Sequence, residues 1–220
     1  MQIISDLKES DNKLNNKINS FSKQLDLKPF FLLIKPNLEI YKNAKLIDTQ
    51  IENLIKKGFR NIEISWSDDE NWFNYVSRLK MKFPSLNLGS ASIINKQSID
   101  ESIAIGLKYS MMKFWDKDLL SYSNSKDHLL IPGIKNINDL KNAIDSNCKI
   151  VKIYPVKEQV KLINISQYKN IDFIAAGGLS ISDLPLYKSL GYRGIVIGNR
   201  GFINKRIDRK IYQWLKDTSN

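Results

Sequence analysis

Eight short apolar, β-like runs recur along this chain, at residues 30–35, 61–66, 86–91, 109–114, 128–132, 150–154, 171–176 and 194–198. Between them lie stretches with helical spacing of apolar residues, clearest at 44–57, 71–83, 98–106, 137–145 and 182–190, with a last one at 204–216. Eight successive βα units in 220 residues specify the α/β class, as a TIM (β/α)8 barrel. The phase is supported by Gly58, Gly106 and Gly191, each of which follows a helical run where a left-handed cap is wanted. An extra N-terminal helix is expected over residues 3–25, where Ile3, Ile4, Leu7, Leu14, Ile18 and Phe21 fall near helical spacing. Such a helix either closes the bottom of the barrel or covers an outer groove. The expected organisation is a helical extension at 1–28 and a single barrel domain at 29–220.

Composition narrows the function classes. With 42% hydrophobic residues the chain can bury one large core. No run approaches the length of a membrane span, and Asp6, Glu9 and Asp11 stand where a signal peptide needs cationic and apolar regions, so a cytoplasmic, non-membrane protein is expected. Cys148 is the lone cysteine, so neither an internal disulfide nor a zinc cluster is supported, and it reads as a small buried side chain. The net charge of +11 invites a nucleic-acid reading, but the lysines are scattered and interspersed with acids such as Asp48 and Glu52. A solvated surface, inflated by a bias towards Ile, Asn and Lys, accounts for them better, and no nucleic-acid partner is expected.

Chemistry concentrates on two charges in apolar strands. Lys152 lies inside Lys149-Ile150-Val151-Lys152-Ile153-Tyr154-Pro155, and Glu63 inside Asn61-Ile62-Glu63-Ile64-Ser65. Taking an ammonium out of water depresses its pKa, and a neutral lysine amine is a nucleophile. The rival readings are a lysine neutralised by a carboxylate, an edge-strand lysine facing water, or a purely structural Lys152–Glu63 ion pair. In a barrel the working residues stand at the C-terminal ends of the strands, and a Lys beside a Glu there suits imine chemistry.

The order of motifs is family-like. Gly58-Phe59-Arg60-Asn61-Ile62-Glu63-Ile64, Gly89-Ser90-Ala91-Ser92-Ile93, Ile131-Pro132-Gly133-Ile134, Val151-Lys152-Ile153-Tyr154-Pro155 and Ala176-Gly177-Gly178-Leu179-Ser180 together resemble the KDPG/KHG aldolase family over residues 30–202. These are metal-independent class I aldolases that split 2-keto-3-deoxy-6-phosphogluconate or 4-hydroxy-2-oxoglutarate and release pyruvate, with no cofactor. The resemblance implies Lys152 as the Schiff-base lysine and Glu63 as the general acid/base. It implies Ser92 as a hydroxyl for the ketoacid carboxylate, Lys35 as a cation for an anionic substrate end, and Pro132 and Gly133 as a substrate-binding turn after the fifth strand. Gly177 and Gly178 match a glycine pair whose backbone N–H groups can bind phosphate or carboxylate, although a tight βα turn explains them equally. A ketoacid or sugar-acid phosphate substrate and a homotrimer are what the resemblance further implies.

Three positions depart from the family pattern. Ser67 stands where an arginine is usual, Met112-Lys113-Phe114 replaces the usual proline-containing turn, and Gly198-Asn199-Arg200 replaces Gly-Gly-Ser. Lys113 is a candidate replacement for the missing cation and for keeping the Lys152 amine neutral, and Arg200 for gripping phosphate, unless each is a solvent-facing loop charge. The alternative function is a divergent barrel that binds an anionic metabolite without aldol turnover. An isomerase or decarboxylase using the glycine pair would leave the motif order unexplained.

Overall fold

A computed structural model of the chain describes residues 2–37, 40–41, 44–159 and 163–218. Nine parallel strands form one sheet: β1 (Phe30–Ile34), β2 (Asn61–Ser65), β3 (Asn87–Ile93), β4 (Ser110–Met112), β5 (Leu130–Ile131), β6 (Gly133–Ile134), β7 (Ile150–Ile153), β8 (Asp172–Ala176) and β9 (Gly194–Ile197). They are ordered β5-β4-β3-β2-β1-β9-β8-β7-β6. The two end strands are halves of one stave, since β5 pairs with β4, β6 pairs with β7, and only Pro132 separates them. Proline has no N–H for a ladder, which divides the stave, but its carbonyl still accepts from the Lys152 amide at 2.9 Å. The ring therefore closes as the eight-stave barrel expected from the alternation of runs.

The described helices are α1 (Gln2–Leu27), α2 (Ala44–Lys56), α3 (Asn71–Lys82), α4 (Lys96–Ile105), α5 (Lys117–Ser125), α6 (Ile137–Asp145), α7 (Val156–Gln159), α8 (Leu184–Ser189) and α9 (Arg209–Asp217). Each outer helix buries one stripe against the strands; α2 does so with Ile47, Ile51 and Leu54. Asn95, Asp116 and Asn136 accept backbone N–H bonds at the starts of α4, α5 and α6. Gly58, Gly106 and Gly191 adopt φ of 75°, 76° and 96°, the left-handed region their positions after helices require.

Three elements differ from the sequence reading, one of them the four-residue α7, which is too short to show helical spacing. The helix α5 was not foreseen, because among its nine residues Leu119 and Leu120 are the large apolar side chains it buries. The last helix begins at Arg209 rather than 204, since Phe202–Ile203 and Arg206–Ile207 pair as a small antiparallel hairpin. Asn204 and Lys205 both take positive φ, 48° and 65°, as a two-residue hairpin turn demands. Asp208 then caps the helix by accepting from the Lys210 amide at 2.9 Å.

The core has two parts. A large cluster lies between the strands and the outer helices, and a smaller one fills the lower barrel interior with Phe31, Met111, Ile131, Ile150, Ile174 and Val196. The N-terminal helix closes that lower end rather than an outer groove: Phe21 and Leu25 are buried in the smaller cluster, with Phe21 stacked on Phe31 at 5.3 Å between centroids. Ser22 donates to Asp172 at 2.6 Å and Arg193 bridges Asp26 and Asp172, which ties α1 to the rims of β8 and β9. Cys148 is half-buried rather than buried, and desolvation pushes its thiol up to about 11, so it is not a thiolate nucleophile. Among the described residues no helix is long and apolar enough to cross a membrane, and no group of three metal-ligating side chains comes together.

Between β3, α4, β4 and β5 runs a buried polar chain. Ser90 bonds Ser102 at 2.8 Å and Ser110 at 2.7 Å, and Ser110 bonds His128 Nε2 at 2.7 Å. Burial, aided by the charge of Lys17, lowers the His128 pKa from 6.5 to about 4. An imidazole with a depressed native pKa costs stability as pH falls, because the unfolded chain binds the proton first. Between pH 6.5 and 4 the protein should lose about 3 kcal/mol through this residue. Denaturant unfolding of wild type and His128→Gln at pH 7 and pH 4 checks this: the variant should lack that part of the acid loss, and an identical loss in both would contradict it.

Candidate active site

Lys152 and Glu63 sit on β7 and β2, and both side chains enter the barrel interior below its upper mouth. They are 7% and 1% exposed, respectively. Lys152 Nζ donates to the Met112 carbonyl at 2.6 Å rather than to Glu63. Glu63 Oε1 accepts from the Tyr109 hydroxyl at 3.4 Å, and among the described residues Oε2 has no partner. Both groups border a cavity of about 400 Å³ that opens between the C-terminal ends of the strands. A second cavity of about 360 Å³, largely apolar, abuts it and shares Leu33, Lys35 and Asn199, but contains neither buried ionisable group.

Burial decides the protonation of this pair. Desolvation lowers the Lys152 pKa, opposed by the charge of Glu63. Desolvation likewise raises the Glu63 pKa, opposed by Lys152 and by the hydrogen bond from Tyr109. Each charge thus partly sustains the other, yet the apolar surroundings win in both cases. An amine that loses its proton easily and a carboxyl that holds one near neutrality are the two states a covalent amine catalyst and a proton carrier need.

The other candidates divide into those at the cavity and those in its wall. Ser92 lines the cavity within a register irregularity of β3 between Ser90 and Ile93, with φ of 62°, and its hydroxyl bonds Ser65 Oγ at 2.8 Å. A left-handed serine on a bulged strand end is an uncommon conformation of the kind that re-aims side chains at sites. Ser65 was not singled out from the sequence; it is held by Trp72 Nε1, which donates to its carbonyl at 2.9 Å. Lys35 and Lys113 are exposed at the mouth, and the Lys113 ammonium lies 5.4 Å from the centroid of the Phe114 ring. Gly177 and Gly178 line the same cavity with φ of 116° and 62°. Arg200 reaches back to donate to the Gly178 carbonyl at 3.0 Å, which ties the β9 loop to the glycine pair.

Three readings need correction. Pro132 does not face this cavity; it is buried and borders a small separate cavity with Leu14 and Ile18 of α1. Gly133 is also a wall residue, where a Cβ would stand 2.4 Å from the Lys113 carbonyl oxygen and 2.8 Å from that of Met112. Its missing side chain lets β6 approach the carbonyl that anchors Lys152. The lowered pKa of Lys152 comes from burial and not from Lys113, whose side chain is solvated. Tyr109, the residue beneath Glu63, carried no recognised signal beyond its place at the start of a strand run.

The family model for KDPG and KHG aldolase matches residues 33–215. A 2-dehydro-3-deoxy-phosphogluconate aldolase from Pseudoalteromonas atlantica is 26% identical over 155 residues, covering 69% of this chain and 72% of its own. The fold is shared with 2-keto-3-deoxy-6-phosphogluconate aldolase from Zymomonas mobilis, at a TM-score of 0.73 and 18% identity over 90% of this chain and 95% of that one. It is shared too with KDPG aldolase from Legionella pneumophila, solved with pyruvate captured as a covalent carbinolamine, at 0.70 and 16% over 90% and 95%. The chain belongs to the KDPG and KHG aldolase family and is a carbon–carbon lyase.

Proposed function

We propose that this aldolase works through a Schiff base on Lys152, cleaving a 2-keto-4-hydroxy acid to pyruvate and an aldehyde. The observation that carries the reading is that Lys152 and Glu63 are buried at one cavity without pairing directly: Nζ is bonded to a carbonyl, and among the described residues Glu63 Oε2 has no partner. A structural ion pair would be expected to close on itself and satisfy its remaining polar atoms. This arrangement instead keeps both reactive atoms available.

In the proposed sequence the neutral amine attacks the C2 carbonyl to give a carbinolamine, and loss of water leaves an iminium. The C3–C4 bond then breaks, its electron pair flowing into the iminium to form an enamine while the C4 hydroxyl yields its proton and departs as an aldehyde. Protonation at C3 and hydrolysis release pyruvate and restore the amine. Glu63 carries the protons in these steps. Lys35, Lys113 and Arg200 ring the mouth and support an anionic substrate, and the Ser65–Ser92 hydroxyl pair supports a ketoacid carboxylate where the usual arginine is replaced by Ser67. A homotrimer, implied by the family resemblance, is part of the same proposal.

Borohydride reduction in the presence of pyruvate should attach a single adduct to Lys152, read by peptide mass spectrometry. Lys152→Met should lose the adduct and lower retro-aldol turnover on the order of a thousandfold or more, the scale on which losing a covalent nucleophile acts. An adduct elsewhere, or turnover retained in Lys152→Met, would count against the mechanism. The trapping rate should climb with pH and level off well below the ordinary lysine range of about 10.4, because only the neutral amine attacks and burial lowers its pKa. A rate still climbing through pH 10 would show that Lys152 is not perturbed.

A further inference from the structure

We infer that Tyr109 is a positioning residue for Glu63: its phenol tethers Oε1 of the carboxyl and leaves Oε2 as the oxygen that exchanges protons with substrate. The inference deepens the lyase reading and rests on Glu63 being its proton carrier. Tyr109 immediately precedes β4 and is 1% exposed. Its ring crosses β3 to reach β2, and the crossing point is Gly89, the register partner of Glu63. A Cβ on residue 89 would lie 2.4 Å from Tyr109 Cζ and 2.5 Å from Cε2, so the absence of a side chain there is what admits the ring. From below, Phe21 of α1 meets the ring edge-on at 4.8 Å between centroids and 77°, and Phe31 tilts against it at 5.7 Å.

The hydroxyl held by this packing has one described partner, Glu63 Oε1. At 3.4 Å the bond is long, so its worth is modest, but it acts in an apolar interior where no other described residue bonds that oxygen. The ionisable groups bearing on Glu63 are Lys152 and Tyr109. Burial and the neighbouring carboxylate hold the phenol well above its ordinary pKa of 10, so Tyr109 stays a donor and never becomes a second base. A donor on Oε1 limits rotation of the carboxyl and favours its ionised form, opposing the effect of burial. The two oxygens thereby acquire different roles. The N-terminal helix, none of whose described side chains lines the upper cavity, reaches the reacting carboxyl through two aromatic rings.

The test titrates Glu63 directly in the full chain, by ¹³C-carboxyl NMR of glutamate-labelled protein, with Glu63→Gln to assign its signal. Tyr109→Phe keeps the ring and removes the donor. It should raise the Glu63 midpoint by about half a unit to one unit, the shift equivalent to one modest hydrogen bond. The acid limb of kcat should move up by the same amount, with KM little changed. Replacing Tyr109 by 3,5-difluorotyrosine, a stronger donor of the same shape, should lower the midpoint instead, and it reads the same bond should Tyr109→Phe fail to fold. A purely structural tyrosine would change stability and leave the midpoint where it was. An unmoved Glu63 midpoint in these proteins overturns the inference. A wild-type protein that traps no pyruvate overturns the Schiff-base reading, and the titration still reports whether Tyr109 governs Glu63.

Discussion

Everything at the site depends on two opposite charges being held inside a barrel without touching. Removing an ammonium and a carboxylate from water costs several kcal/mol each even after relaxation, and a direct ion pair is the usual way to recover part of it. Here the recovery is incomplete by construction. Lys152 is satisfied by a main-chain carbonyl and Glu63 by one phenol, so each group is left close to giving up its charge. A strand position that tolerates lysine only as a half-destabilised cation is also one where the amine is ready to attack carbon.

The wall of the barrel is shaped around that compromise. The stave broken at Pro132 places Gly133 against the carbonyls of Met112 and Lys113, and so presents the acceptor for Lys152 at the right depth. On the opposite side Gly89 opens the passage for Tyr109. The lower core then supports both, because Phe21 and Leu25 of α1 fill the lower end of the barrel. Stability and chemistry are separated along the barrel axis, with aromatic packing below and solvated cations above, and the buried pair lies where the two meet.

Much of this was legible in the chain itself. The β-branched runs and the glycines at 58, 106 and 191 marked the staves and helix ends, because periodicity and left-handed caps are local signals. Lys152 and Glu63 stood out because charge in an apolar strand contradicts its surroundings. What failed was non-local. The hairpin of 202–207 hid within an amphipathic stretch because its turn residues, Asn204 and Lys205, are not glycines. Pro132 and Gly133 read as a substrate-binding turn, yet one faces a lower cavity and the other the neighbouring strand, an outcome fixed by how β5 and β6 share a stave. Tyr109 could not be recognised, since its meaning arises only when its ring passes over a glycine twenty residues earlier in the chain.

The most direct test is a ¹³C NMR titration of the lysine Cε resonances, with Lys152→Met to identify the signal of Lys152. One resonance should titrate far below the rest, and lower again in Glu63→Gln, because the carboxylate raises the Lys152 pKa against the effect of burial. A Lys152 that titrates with the surface lysines, near about 10.4, in both proteins would contradict the claim that the barrel holds this amine ready to react.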